Sequence, residues 1–206
     1  STIAASVALY RACQLDWGSI KVVANDLKQA DSRVAYYLRR AIELHPVLKD
    51  RVRIISYSAT LPNHTNVEAI PIDPSGEAGS NVDLVIFSEL WGSHSKAQQK
   101  MWTEMTLSPL KYGQSQRWVE TYAGYTGESP VLEQLYQGGI KGGVLLDLGI
   151  PGLEVYSNFH SRQLTMWNTQ PRLPWQTPEY YAQESAVLPP NEFLRRTYPV
   201  VKVYRA

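Results

Sequence analysis

The 206 residues contain one cysteine, Cys13, so neither an intrachain disulfide nor a cysteine-based zinc site can form within them. A single thiol fits a reducing cytosol. The four histidines, His45, His64, His94 and His160, are scattered with no HxxxH or HExxH spacing, which argues against a metal held by imidazoles. No apolar run approaches the ~20 residues needed to cross a bilayer, and no charged segment leading into a short apolar one opens the chain. No membrane partner is expected. The formal net charge is only +1, which removes any bulk electrostatic case for nucleic-acid binding and leaves only local contacts. There is no internal repeat and no low-complexity tract. Nor does the phosphate-loop pattern GxxxxGK[ST] occur anywhere in the sequence.

What is there is the material of a folded domain: hydrophobic residues make up 44% and charged residues 19%. STIAASVALYRACQL carries Ile3, Val7, Ala8 and Leu15 at helical spacing, with Ser1 or Thr2 at the cap position. IKVVAND comes next, a β-branched run that reads as a buried strand ending in Asn25 and Asp26. A second helix is predicted over LKQADSRVAYYLRRAIELHP, with Ala30, Val34, Tyr37, Leu38, Ala41 and Leu44 on one face and Pro46 as its stop. RVRIISYSA reads as a strand, VEAIPI as a short one, PSGEAGS as a loop, and VDLVIF as the most strand-like run of the chain. SKAQQKMWTEMTLS is predicted helical up to Pro109, QRWVETYAGY reads as a strand, and SPVLEQLYQGG as a helix capped by Ser129 with Pro130 first and Gly138 near its end.

Strands and helices alternating in this way predict an α/β fold, a mostly parallel sheet flanked by helices. Beyond Gly143 the texture changes. Pro151, Pro171, Pro174, Pro178, Pro189 and Pro190, with Trp167 and Trp175, predict an irregular Pro/Trp-rich arm with little sheet of its own, packed through its aromatics. The expected division is a core over 1–143 and an extension over 144–206.

Three stretches carry chemistry. In VDLVIFSELWG the apolar run ends in Ser88 and Glu89. Ligands of parallel sheets bind at the carboxyl ends of the strands, so Glu89 is either a catalytic acid or an ordinary strand end meeting water. Ser1 and Thr2 open an apolar helix. Hydroxyl residues stand in that position after the lysine of a phosphate-binding loop, and equally as an ordinary helix cap. QRWVETYAGYTGES ends a strand in small and hydroxyl residues, Thr121, Ala123, Gly124, Thr126 and Gly127.

Taken in order with LPWQTPEYYAQESAVLPPNEFLR, these stretches resemble the large terminase subunit of tailed bacteriophages, the ATP-driven motor that packages DNA into the capsid. The resemblance runs from Ser1 to about Arg195 and includes IKVVANDLKQADSRV after the first helix. It implies a P-loop NTPase-type sheet with ATP and Mg²⁺ as cofactors. Glu89 matches the glutamate that polarises the attacking water, Ser1 the hydroxyl that ligates Mg²⁺, and Thr2 its neighbour at the nucleotide. Ser88 stands where the magnesium-side aspartate is usual; a hydroxyl supplies no charge, which implies weaker Mg²⁺ binding. Thr121, Ala123 and Gly124 match the coupling motif that senses the γ-phosphate.

The implied partners of the intact motor are double-stranded DNA, the portal protein and the small terminase subunit, and the implied location is the host bacterial cytoplasm. The family carries a strand and the glycine loop with its lysine ahead of the position of Ser1, and an RNase H-like nuclease domain beyond NEFLR. The 206 residues are therefore expected to be a piece of such a protein, a truncated ATPase core and a linker, from a phage or a prophage. Without the loop's donors the chain on its own is expected not to hydrolyse ATP at a useful rate, and an exposed sheet edge to favour self-association. A catalytically inactive prophage remnant that binds only protein or DNA is the alternative, and an unrelated doubly wound enzyme a further one.

Several other residues have bland readings. Trp91, Trp102 and Trp118 are expected to be packing aromatics rather than base-stacking platforms. Arg39, Arg40, Arg51 and Arg53 are expected on solvated faces. His94, two residues beyond Gly92, is expected not to take part in holding a nucleotide at Glu89.

Overall fold

The computed structural model describes residues 1–73, 75–77, 80–90, 95–105, 114–122, 124, 127–168 and 173–197. The chain divides into two units, Ser1–Thr121 and Tyr122–Ala206.

In the first unit six strands form one sheet in the order β2-β3-β4-β1-β5-β6. They are β1 (Ser19–Ala24), β2 (Arg53–Ile55), β3 (Ser58–Thr60), β4 (Asn66–Pro71), β5 (Leu84–Ser88) and β6 (Gln116–Glu120). The four strands β4, β1, β5 and β6 are mutually parallel, while β3 and β2 add an antiparallel edge. Helix α1 (Thr2–Gln14) precedes β1; α2 (Leu27–Ala30), a π-helical turn (Asp31–Ala35) and α3 (Tyr36–Leu44) come after it; α4 (Lys96–Glu104) lies between β5 and β6 in sequence. This is the expected mostly parallel α/β sheet flanked by helices.

Burial explains the arrangement. Successive strand residues face opposite sides of a sheet. Leu84 and Ile86 of β5 and Ile20 and Val22 of β1 share a core with Ala4, Ala5, Ala8 and Ala12 of α1 and Leu38 and Ile42 of α3. The alternate residue Phe87 meets Trp102 of α4, ring centroids 4.9 Å apart, on the other face. Helices thus cover both faces, and β5 is buried at all five of its positions.

Two helical faces differ from expectation. α1 buries its alanines and leaves Ile3 exposed, since methyl side chains let a helix lie close against a sheet. In the second helix Ala30, Val34, Leu38 and Ile42 are buried while Tyr37 and Leu44 are exposed. The π-helical turn accounts for this: it adds a residue to the turn, so the buried stripe advances by four throughout. The single strand expected over RVRIISYSA is instead the hairpin β2-β3, turned at Ser56 with φ +46°. The helix expected up to Pro109 ends at Glu104, and residues 106–113 lie outside the described residues.

The second unit corrects the expectation of an arm with little sheet of its own. Strands β7 (Val144–Leu146), β8 (Leu153–Asn158) and β9 (Gln163–Asn168) form an antiparallel sheet in that order. Ahead of it, α5 (Pro130–Tyr136) is capped by Ser129, whose Oγ accepts from the Leu132 N–H at 3.4 Å, and passes into a second π-helical turn, Gln137–Lys141. Asn158 Nδ2 donates to the Gly138 carbonyl (2.7 Å) and Gln163 Nε2 to that of Leu135 (2.9 Å), binding sheet to helix. Two of the prolines start structure rather than break it: Pro178 opens α6 (Pro178–Val187) and Pro190 opens α7 (Pro190–Thr197), positions where the missing N–H has no helical partner to lose. Trp167 packs against Tyr136 at 5.8 Å, whereas Trp175 is exposed.

Candidate functional site

The parallel strands β5 and β6 pair in register, so Ser88 lies opposite Glu120 at their carboxyl ends. Two residues earlier, Ile86 and Trp118 face the core under α1. By the period of a strand, Ser88 and Glu120 face the same way. Helix α1 brings its N-terminus to this point. Ser1 Oγ donates to Glu120 Oε1 at 2.9 Å, the Ser1 amino group stands 2.8 Å from Oε2, and Ser88 Oγ donates to Oε1 at 3.4 Å. At the opposite end of α1, Arg11 donates to the carbonyl of Gln114, just before β6, at 2.9 Å. These two contacts fix the helix along the sheet, antiparallel to β6.

Glu89 leaves β5 in the left-handed region, φ +61°. Its N–H still bonds the Glu120 carbonyl at 2.9 Å, so pairing with β6 continues one residue past the strand. A non-glycine residue held there costs on the order of 1–3 kcal/mol. The turn directs the Glu89 carboxylate to the π-helical segment, where Arg33 forms an ion pair with it; the Glu89 side chain is only 14% exposed. Asn25, at the end of β1, accepts from Gln98 Nε2 at 2.8 Å. Gln98 belongs to the capping box with Ser95 that starts α4.

Of the residues singled out from sequence, Ser1 and Ser88 meet on one carboxylate, and Glu89 begins one residue beyond it. Thr2 lies in the first turn of α1, exposed, and its side chain is not a partner of Glu120. Thr121 comes directly after β6 and is exposed; Gly124 is buried in the second unit; Ala123 lies outside the described residues. Trp91 and His94 lie outside them as well. Trp102 sits beneath the Arg117 guanidinium, 4.4 Å from its ring centroid, and burial lowers the pKa of that guanidinium. Trp118 packs against the α1 core. Arg39 pairs with Asp31 and Arg40 with Glu43, while Arg51 and Arg53 are exposed.

Sequence reading missed Glu120 and Arg33. QRWVE ends a strand in an acid just as VIFSE does, and that signal was present; the pairing of β5 with β6 was not. Nothing in ADSRVAYY marks Arg33.

Among the described residues no three His, Cys, Asp or Glu side chains gather as a metal cluster. Two hydroxyls and one amino group converge on a single carboxylate, that of Glu120, so its charge already has a partner. Mg²⁺ sites use one or two carboxylates with substrate phosphates and waters rather than an all-protein cage. No helix of the described residues is long and apolar enough to cross a membrane.

A parallel sheet with helices on both faces, and polar residues gathered where a helix N-terminus meets its carboxyl edge, is the architecture of open α/β domains, whose ligands bind outside the carboxyl ends of the strands. Comparison with solved structures narrows that class. The chain superposes on the large terminase of bacteriophage HK97 with a TM-score of 0.63 at 14% identity, over 97% of this chain and 43% of that one. It superposes on a large terminase from a thermophilic bacteriophage at 0.59 and 7% identity, over 96% and 44%. For the large terminase ATPase domain of Thermus phage P74-26 the figures are 0.54 and 16%, over 94% and 80%. No protein-family model and no curated protein matches. The chain has the fold of a phage large terminase ATPase domain, and spans less than half the length of the first two of these proteins.

Proposed function

We propose that this chain is the ATPase core of a phage or prophage DNA-packaging motor, which couples ATP hydrolysis to movement of double-stranded DNA. The observation that carries this reading is the convergence of Ser1, Ser88 and Glu120, with Glu89 beside them, at the carboxyl edge of the parallel sheet. The fold shared with large terminases supports it.

The chemistry assigned to the site is attack of water on the γ-phosphate, in line with the leaving oxygen. Glu89 accepts a hydrogen bond from that water, orients it and takes up its proton. Arg33 fixes the glutamate from the side of the π-helical turn, so the turn and the strand end move together. The N-terminus of α1 offers backbone N–H groups and a favourable dipole to the phosphates. Mg²⁺, held on the Ser1 and Ser88 side, would neutralise charge on the phosphates. The end of β6 at Glu120 and Thr121 is where a change at the nucleotide passes into the rest of the chain. The portal protein, the small terminase subunit and DNA are the partners this role requires.

The test is steady-state phosphate release by the full-length gene product. Glu89→Gln is expected to lower it by about 100-fold or more, with ADP still bound as in the wild type. Unchanged turnover in the variant would contradict the role of Glu89. A wild type that binds no ATP would contradict the motor reading and leave only a binding module.

A further inference from the structure

We infer that a second site, for a phosphate ester, lies at the amino edge of the parallel sheet, where Arg11 near the end of α1 meets the start of β6. An open cavity of about 390 Å³ is lined there by Arg11, Leu15, Gln114, Ser115 and Gln116. Gln116 and Glu120 begin and end β6, so at about 3.3 Å per residue the cavity stands roughly 13 Å from the carboxyl edge. It is a different site from the one proposed for the nucleotide.

Charges withdrawn from water are normally paired. Lys21 has Glu68, Arg33 has Glu89 and Arg39 has Asp31. Arg117 donates instead to the carbonyls of Trp102 and Met105 and lies over the Trp102 ring. Arg11 is half-buried too, yet no ion pair among the described residues includes it. Its Nη2 donates to the Gln114 carbonyl at 2.9 Å, and its Nε is sealed from solvent without an acceptor. One carbonyl thus serves a guanidinium with five N–H donors. The counter-charge is missing, and the cavity is the space beside it. An arginine fork matches the oxygens of an anion. Ser115 Oγ already donates to the Val82 carbonyl at 2.7 Å, but Gln114 and Gln116 are exposed and bring amide N–H groups to the same space. Donors from three residues suit the several oxygens of a phosphate better than the planar pair of a carboxylate. Leu15 gives the ester's carbon part an apolar wall, and the volume is that of a small-ligand site rather than a bare ion.

The rival role for Arg11 is purely structural, as a cation at the carboxyl end of α1, where it meets the helix dipole. Equilibrium dialysis of inorganic phosphate against the full-length gene product, with MgADP saturating, separates the two. The wild type is expected to hold phosphate with a Kd of about 1 mM or below. Arg11→Gln is expected to weaken it by about 10-fold or more, and Arg11→Lys, which keeps the charge but loses the fork, by less. Gln116→Glu leaves Arg11 in place and sets a carboxylate at the exposed rim. It is expected to exclude phosphate and, in phosphate-free buffer, to raise Tm by giving Arg11 its counter-charge. A role confined to the helix end predicts no effect of Gln116→Glu on phosphate. A short DNA duplex that displaces the phosphate would identify the ester as nucleic-acid backbone, and phosphate that stays bound would identify a small phosphate ester. No binding below about 10 mM phosphate would overturn the inference, as would binding unaltered in both Arg11→Gln and Gln116→Glu. Either result would leave the ATPase reading standing, since that reading rests on the other edge of the sheet.

Discussion

Strand β5, LVIFS, and strand β9, QLTMWN, are of nearly equal length and sit in sheets of opposite kind. β5 is central and parallel, with both neighbours running its way, and every residue is buried. β9 is the edge of an antiparallel sheet and alternates between half-buried and exposed. Its exposed side carries Leu164 and Met166, while the polar Gln163 and Thr165 face the π-helical turn. One strand is held by burial of apolar surface, the other by hydrogen bonds and backbone approach to a helix end. The residues proposed to act on the nucleotide gather in the first kind of region. A carboxyl edge can hold strained and charged groups such as Glu89 because the strand that leads to it, β5, is buried along its whole length.

The contrast is most vulnerable at β5. Ile86 has no exposed surface, and Ile86→Ala is expected to cost about 2–5 kcal/mol in a urea titration. A loss below about 1 kcal/mol would show that the parallel core is not what holds the first unit. In the second unit the sensitive point is backbone rather than side chain. A Cβ built on Gly143 would stand 2.1 Å from the Gly139 carbonyl oxygen, so Gly143→Ala is expected to cost about 1–3 kcal/mol through displacement of the π-helical turn. At the start of α4, Ser95→Ala removes one half of the capping box and is expected to cost about 1 kcal/mol. Met166→Ala in β9 is expected to change stability by less than about 0.5 kcal/mol, because its side chain is already exposed. Equal losses at Ile86 and Met166 would erase the distinction between the two sheets.

The same contrast governs what could be read from the residues. VDLVIF and IKVVA declare themselves because strands covered on both faces are continuous apolar runs. GVLLDL and RQLTMWN do not: β7 is exposed along its whole length, and in β9 Leu164 and Met166 are exposed while Gln163 and Thr165 share the half-buried side with Trp167, so alternation gives no usable sign of which face is covered. The prolines around them suggested irregular chain when two of them were helix starts. Within the site, Glu89 and Ser1 were legible as types at the ends of elements. Glu120 was not, since its meaning lies in a register that brings residues 88 and 120 together across 32 positions of chain. Arg33 depends on a π-helical turn, which has no sequence pattern of its own. The buried stripe of that helix was misread for the same reason.

Amide hydrogen exchange of the full-length gene product, with and without MgADP, tests the central claim most directly. Slower exchange is expected in Ser1–Ser6, Ser88–Leu90 and Glu120–Thr121, the three places where the first unit brings donors to one edge, with β7, β8 and β9 unchanged. Protection centred on the antiparallel sheet, or none anywhere at saturating MgADP, would contradict a nucleotide site at the carboxyl edge of β5 and β6.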